Sequence, residues 1–291
     1  MPSNQPLFTP TRPAEPALCV LASSSSGNCS VLTLPAAPSG LSPSPSFLLL
    51  DMGLGLRRTR AELARLGLAL DDADAVILTH LDTDHWNPNW ARWLPERTRI
   101  LAHPRHVEYG TRWGALPRRA EPLDDTIDLP GAIIARPVLL SHDTLGVTTL
   151  RFELPGGDSL GFATDVGRVS PDLVEHLAGV GVLAIESNYC PRLQAASERP
   201  WWLKQRIMGG SGHLSNEQCA EAVTRIAPTR HVVLLHLSRD CNRPDVAANH
   251  HRRAPYTLTI ASHEHPTPWV SLSSQGGASD SRGAASDSRG G

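Results

Sequence analysis

The sequence predicts an α+β chain, an αββα sandwich of two packed mixed β-sheets with helices on the outer faces. Short apolar runs of strand length dominate the first half with few helices between them, and strands and helices then resume in the second. A doubly wound parallel sheet, with strand and helix alternating throughout, fits that order less well. At 291 residues the chain has length for one large domain or two small ones.

Residues 1–16 carry five prolines, the last at Pro16, and read as a disordered lead-in. Ala17–Ala22 is a short apolar strand, followed by Ser23-Ser24-Ser25-Ser26-Gly27-Asn28-Cys29, a small-residue loop too polar for a core. Residues 30–34 and Phe47–Leu50 are two more strands, the second running into Asp51-Met52-Gly53. The Pro/Ser-rich stretch 35–46 between them is an exposed hairpin insertion. Over 58–66 a helix turns Leu63 and Leu66 inward and stops at Gly67.

Ala75-Val76-Ile77-Leu78 is a buried strand, 88–94 a short helix bearing Trp90 and Trp93, and Arg99–Ala102 a further strand. Residues 104–128 show little periodicity and suit a lid or mobile connection. Ile133–Leu140 is a strand, and 148–154 with 160–164 form a hairpin across Pro155-Gly156-Gly157-Asp158. A helix begins at Ser170-Pro171-Asp172 and stops at Gly179, and a strand over 182–185 ends at Glu186. Ser215 and Gln218 make a capping box for a helix whose apolar stripe is Cys219, Ala222, Val223 and Ile226. His231–Leu235 is a strand, a last helix starts at Pro244, and residues 256–260 close the sheet. The domain therefore spans 17–272. Residues 273–291, with Ala-Ser-Asp-Ser-Arg-Gly occurring twice, are a disordered tail.

Composition narrows the function classes. A net charge of −2 gives no global attraction to nucleic acid or to an anionic membrane, so phosphate binding would need a local patch. Lys204 is the one lysine, leaving arginine to carry nearly all positive charge. The five cysteines, Cys19, Cys29, Cys190, Cys219 and Cys241, are odd in number and lack C-x-x-C spacing, which indicates neither a disulfide framework nor a cysteine metal site. No signal-peptide pattern and no apolar run of membrane-span length is present, so the expected location is cytoplasmic.

The chemistry concentrates at Thr79-His80-Leu81-Asp82-Thr83-Asp84-His85. Four side chains able to bind a metal fall within six residues, directly after a buried strand, which fixes donors on rigid backbone while leaving room for a ligand. His80 and Asp82, two apart, point the same way from extended chain, and Asp84 and His85 are displaced enough to serve a second ion. The plainer reading is a polar loop opening a helix at Asn87-Pro88. Three further metal-competent residues also stand at strand ends: His142, Asp165 and His236. Any one alone is ordinary; four such endings in one chain argue for a shared site.

With those residues in view, the sequence resembles the metallo-β-lactamase superfamily, whose strand-end H-x-H-x-D-H motif, later His, Thr-Asp carboxylate and final His hold two metals. Within it the likeness is to the YycJ (WalJ) exonuclease-like branch. Ser24-Ser25-Ser26-Gly27-Asn28-Cys29, Leu50-Asp51-Met52-Gly53, Thr164-Asp165-Val166-Gly167, Glu186-Ser187-Asn188, Gly212-His213-Leu214-Ser215-Asn216 and His236-Leu237-Ser238 carry it.

The resemblance implies a metallo-β-lactamase fold and a dinuclear metal-dependent phosphodiesterase hydrolysing DNA, as an exonuclease, through a metal-bridged hydroxide. It implies that His80, Asp82 and His142 hold one divalent ion, that Asp84, His85 and His236 hold the other, and that Asp165 bridges them. Asp84 would also orient the nucleophile. Asp82 departs from the superfamily, where histidine is usual; a carboxylate hardens that site and lets Mn²⁺ or Fe²⁺ compete with Zn²⁺. His213, just before the helix opened by Ser215, would hold the scissile phosphate or protonate the leaving oxygen. The competing assignment makes His213 the last ligand and His236 the acid.

The alternative function is a small-molecule ester, thioester or lactam hydrolase of the same fold, and a third is an idle fold member that binds metal or a partner. The pairs His103/His106, His250/His251 and His263/His265 read as surface histidines. Arg57, Arg58 and Arg60, Arg118 and Arg119, and Arg252 and Arg253 read as solvated faces, whereas Lys204 and Arg206 lie close in sequence to His213. Trp201-Trp202 could stack bases or pack, with packing the preferred reading.

Overall fold

The computed structural model describes residues 13–34 and 46–274. The lead-in over 1–12, the 35–45 insertion and the 275–291 tail lie outside the described residues.

The first half of the chain builds one sheet. It comprises β1 (Ala17–Ala22), β2 (Cys29–Thr33), β3 (Phe47–Leu50), helix α1 (Leu56–Arg65), β4 (Ala73–Leu78), α2 (Trp90–Trp93), β5 (Arg99–Ala102), α3 (Pro104–Arg112) and β6 (Glu121–Pro122). The second half builds the other from β7 (Ile127–Leu129), β8 (Ile133–Leu140), β9 (Val147–Glu153), β10 (Ser159–Ala163), α4 (Pro171–Leu177), β11 (Val182–Glu186), α5 (Pro191–Ala196), α6 (Trp201–Met208), α7 (Asn216–Ile226), β12 (His231–Leu235), α8 (Pro244–Ala248) and β13 (Thr257–Ile260). A final short strand, β14 (Val270–Ser271), returns to pair antiparallel with β1.

Strand order is β14-β1-β2-β3-β4-β5-β6 in one sheet and β13-β12-β11-β10-β9-β8-β7 in the other. Both are mixed: β3 to β6 run parallel, as do β10 to β13, and the remaining neighbours are antiparallel. The alternation of strand side chains explains the layers. Leu18, Leu48, Leu50 and Ile77 meet Leu150, Phe152, Phe162 and Val233 between the sheets. The intervening residues, such as Leu49, Val76 and Leu78, turn outward onto Leu63, Trp86 and Trp90. On the far side Leu183, Ile185, Val232 and Leu234 receive Leu173 and Leu177 of α4 and Cys219, Val223 and Ile226 of α7. This is the αββα sandwich that the order of elements predicts.

Several readings need correction. Residues 104–128 are not a bare connection: α3 occupies the first nine, and β6 and β7 follow. Its periodicity is hard to read because α3 docks through His106 and Gly110 instead of an aliphatic stripe. The serine loop is not too polar to bury. Ser23, Ser24 and Asn28 are buried, because Asn28 accepts from Ser23 Oγ at 2.9 Å and from the Ser24 amide at 3.0 Å and donates to Ser24 O at 3.0 Å. His106 and His251 are buried too: His106 donates to Gly146 O and His251 bonds the Tyr256 hydroxyl. His263 bonds Ser24 and Arg58.

Trp201 and Trp202 do not pack; they are 75% and 62% exposed. The helix α6 is seated instead by Leu203 and Ile207 against Tyr189 and Cys241, so its first turn faces solvent. Among the described residues no helix is long and apolar enough to cross a membrane.

Candidate active site

The site is assembled where strands of both sheets end along one seam. From the first sheet come Asp51 after β3 and the His80–His85 turn after β4; from the second come His142 after β8, Asp165 after β10, Glu186 at the end of β11 and His236 after β12. The sheets are tied there by a bond from the Thr148 amide to Thr79 O at 2.8 Å. Asp51, Asp143, Asp165 and His236 hold left-handed backbone, with φ of 60°, 38°, 53° and 55°. Such conformations are costly for residues with a Cβ and persist where the surroundings enforce them.

The structure brings the sequence-derived candidates together. The donor atoms of His80, His142 and Asp165 lie within 4.8 Å of one another, as do those of Asp84, His85 and His236. Asp165 reaches the second group as well, with Oδ2 2.8 Å from His85 Nε2 and Oδ1 3.5 Å from His236 Nδ1. His236 Nε2 in turn lies 3.2 Å from Asp84 Oδ2. Asp82 is the outlier: its carboxylate is 50% exposed, 3.9 Å from His80 Nε2, and grouped with His142 and Asp143.

Buried neighbours set which nitrogen each imidazole presents. His85 Nδ1 donates to Asp51 Oδ2 at 2.8 Å, and the same carboxylate accepts the Thr79 amide and hydroxyl. His142 Nδ1 donates to Gly212 O at 3.1 Å, leaving its Nε2 lone pair for the site. His80 Nδ1 lies 3.0 Å from Thr79 Oγ1, while its buried Nε2 has no hydrogen-bond partner. A buried lone pair without a donor, set among carboxylates, fits a cation.

The electrostatics follow the geometry. Burial and the neighbouring His85 push His80 well below the ordinary histidine range. For His85 burial opposes charge, but Asp165 and Asp51 outweigh it and hold the imidazole well above that range. Burial likewise opposes ionisation of Asp165, yet His236 and His85 keep it well below the carboxylate range. Burial raises Asp82.

His213 lies 3.1 Å through Nδ1 from both Glu186 Oε2 and Asp165 Oδ1. Burial disfavours its charged form, but those two hydrogen bonds prevail and push it up to about 10. The helix N-terminus beside it is not open to an anion. Leu214 N donates to Glu186 Oε1, Ser215 N to Gln218 Oε1 and Asn216 N to Tyr189 O. The capping box that starts α7 closes the Ser215 amide, and Glu186 and Tyr189 close the two beside it.

Asp51, Glu186, Asn28 and Asn188 are the positions to which sequence reasoning gave no role. Asn188 Nδ2 contacts His236 Nδ1 at 3.0 Å and His236 O at 2.8 Å, and Asn28 Nδ2 contacts His85 Nε2 at 2.9 Å. Asp51 and Glu186 end strands just as Asp165 does, which was the available signal. Asn188 borders a cavity of about 420 Å³ also lined by Asp82, Asp84, His142, His213 and His236, with Arg199 and Arg206 on its wall, whereas Asp51 and Glu186 lie buried behind it.

The profile of the beta-lactamase superfamily domain matches residues 46–237, which contain the whole cluster. The chain belongs to the beta-lactamase superfamily. It is a hydrolase of the metallo-β-lactamase fold, with His/Asp clusters able to bind metal ions. The chain is 28% identical over 236 residues to the exodeoxyribonuclease WalJ of Streptococcus pneumoniae, covering 78% of this chain and 84% of that protein. It is 27% identical over 211 residues to the exodeoxyribonuclease YycJ of Bacillus anthracis, covering 69% and 77%. Two solved structures share the fold. Zn²⁺-bound PqqB from Methylobacterium extorquens gives a TM-score of 0.63 at 15% identity, covering 86% of this chain and 99% of that one. Bacillus subtilis YhfI gives 0.58 at 14%, covering 86% and 98%.

Proposed function

We propose that this superfamily member is a dinuclear metal-dependent phosphodiesterase that hydrolyses DNA as an exonuclease. The observation that carries the reading is the convergence of His80, His85, His142, His236, Asp84 and Asp165 from both sheets onto one seam, with His80 Nε2 buried and without a partner. The names of the pneumococcal and anthrax relatives support the choice of substrate.

In this reading His80, Asp82 and His142 would hold one divalent cation, Asp84, His85 and His236 would hold the other, and Asp165 would serve both. The pair would supply a nucleophilic water at neutral pH and positive charge against the phosphoryl oxygens. The donor set containing Asp82 favours a harder ion, Mn²⁺ or Fe²⁺, over Zn²⁺ alone. Asp84 orients the attacking water. Asp51 and Asn188 fix the rings of His85 and His236. His213, gripped by Glu186 through Nδ1, borders the cavity and gives a proton to the leaving oxygen as the phosphorus–oxygen ester bond breaks.

Labelled single- and double-stranded oligonucleotides incubated across a Mn²⁺, Fe²⁺ and Zn²⁺ series, with His80→Ala protein as the blank, test this. Shortened ladders or mononucleotides released only by the unaltered chain are expected. Intact oligonucleotides beside turnover of an ester, thioester or lactam would replace the substrate class and make the protein a small-molecule hydrolase.

A further inference from the structure

Among the described residues six large apolar side chains are exposed: Trp93, Tyr109, Trp113, Trp201, Trp202 and Met208. All but Trp93 lie on α3 or α6 or at the end of α3. Both helices grip the segment 141–146 that carries His142. From α3, His106 Nε2 donates to Gly146 O at 3.0 Å, and Arg105, Tyr109, Arg112 and Trp113 form a cleft of about 250 Å³ with Leu145. From α6, Arg206 pairs with Asp143, and Leu203, Arg206 and Ile207 form part of the active-site cavity wall. The exposed rings therefore lie on two elements that meet the same loop, one of which also walls the cavity.

The charge beside the rings has one dominant sign. The helix α6 carries Lys204 and Arg206 and no acid, and α3 carries Arg105 and Arg112 against Glu108, in a chain whose net charge is −2. Arg112 already lies over the Trp113 ring, 5.5 Å from its centroid. Lys204 donates to the carbonyls of Ala195 and Ser197. Apart from Trp93, the exposed set is four aromatic rings and one methionine. Aromatic faces interleaved with cations match unpaired bases joined by phosphates, whereas a duplex keeps its base faces stacked inside.

Resting on the phosphodiesterase reading above, we propose that α3, α6 and the loop between them form a stacking platform for single-stranded nucleic acid, which it delivers end-first into the cavity. Tyr109, Trp113, Trp201 and Trp202 are positioning residues and take no part in bond cleavage.

The test uses the full chain and a fluorescein-labelled, phosphorothioate-linked oligothymidylate, read by anisotropy, beside a blunt duplex of equal length. Trp201→Leu/Trp202→Leu and Tyr109→Leu/Trp113→Leu remove the rings while keeping apolar bulk, and Trp201→Phe/Trp202→Phe keeps them. Each Leu pair is expected to weaken single-strand binding about tenfold or more and to raise KM for a cleavable oligonucleotide in parallel. The Phe pair should bind within about threefold of the unaltered chain. Turnover of bis(p-nitrophenyl) phosphate, which is too small to reach the platform, should stay unchanged in all of them. Leu pairs that bind as the Phe pair does, on a chain that cleaves phosphodiesters, would overturn the platform alone. So would Leu pairs that abolish self-association of the chain while leaving oligonucleotide affinity intact. An unaltered chain that cleaves no phosphodiester at all sinks the underlying function instead.

Discussion

Asp51 Oδ2 lies 2.8 Å from His85 Nδ1, and both side chains are at most 1% exposed. With the Thr79 amide and hydroxyl on the same carboxylate, Asp51 links β3 to the start of the His80–His85 turn. Replacing it by Asn leaves size intact but removes the charge that orients His85. Metal affinity is expected to fall by roughly 10–100-fold, measured as metal retained after dialysis. Full retention would reduce Asp51 to a packing residue.

Gly53 is the backbone counterpart of that anchor. A methyl group there would run into the Asp84 carbonyl oxygen, and the Asn28 amide is 2.9 Å away. Because both obstacles are backbone, neither can swing aside. Gly53→Ala is expected to displace Asp84 and lower kcat by about a hundredfold, with thermal unfolding also shifted down. Unchanged kcat would show that the turn moves freely.

His213 and His236 are separable by metal content. His213→Ala should cut turnover by about a hundredfold or more while two equivalents of metal stay bound. His236→Ala should lose one equivalent. The opposite pattern would exchange the two roles.

Asp82→His restores an imidazole where the carboxylate now stands. Purified without added metal, that variant should hold zinc in preference to manganese or iron, relative to the unaltered chain. Elemental analysis giving the same metal mixture for both would remove Asp82 from the donor set.

His106 makes stability depend on pH. Burial holds its folded form down at about 4, against the opposing bond to Gly146, whereas an unfolded histidine protonates near its ordinary value of 6.5. Above 6.5 both states are neutral and the contribution is level; as pH falls toward 4 only the unfolded state gains the proton. The loss is on the order of 3 kcal/mol over that window. Denaturant melts of His106→Gln should show a shallower decline between pH 6.5 and 4, and an identical slope would sink the assignment.

Sheet and seam were legible for the same reason. Strands buried on both faces read as unbroken apolar runs, and a polar residue that ends such a run stands out, as His80, His142, Asp165 and His236 do. Asp51 and Glu186 obey the same rule after Leu50 and Ile185, but a lone strand-end acid is common, and what distinguishes these two is the imidazole each one meets across the fold. The helix α3 was obscure because a histidine and a glycine seat it. The exposure of Trp201 and Trp202 was obscure because two adjacent aromatics say nothing about which face of a short helix docks. Left-handed backbone at His236 leaves no mark in composition at all.

The two sheets come from successive halves of the chain, which part between Pro122 and Ile127, and among the described residues only β14 crosses back. His80, Asp82, Asp84 and His85 belong to one half, and His142, Asp165, His213 and His236 to the other. Whatever ion is clasped by both sets also fastens the halves, so affinity for the reagent and cohesion of the fold are one thermodynamic quantity. A chelator would then weaken the sandwich along its seam as well as silence it, and a more tightly held ion would leave a sturdier protein.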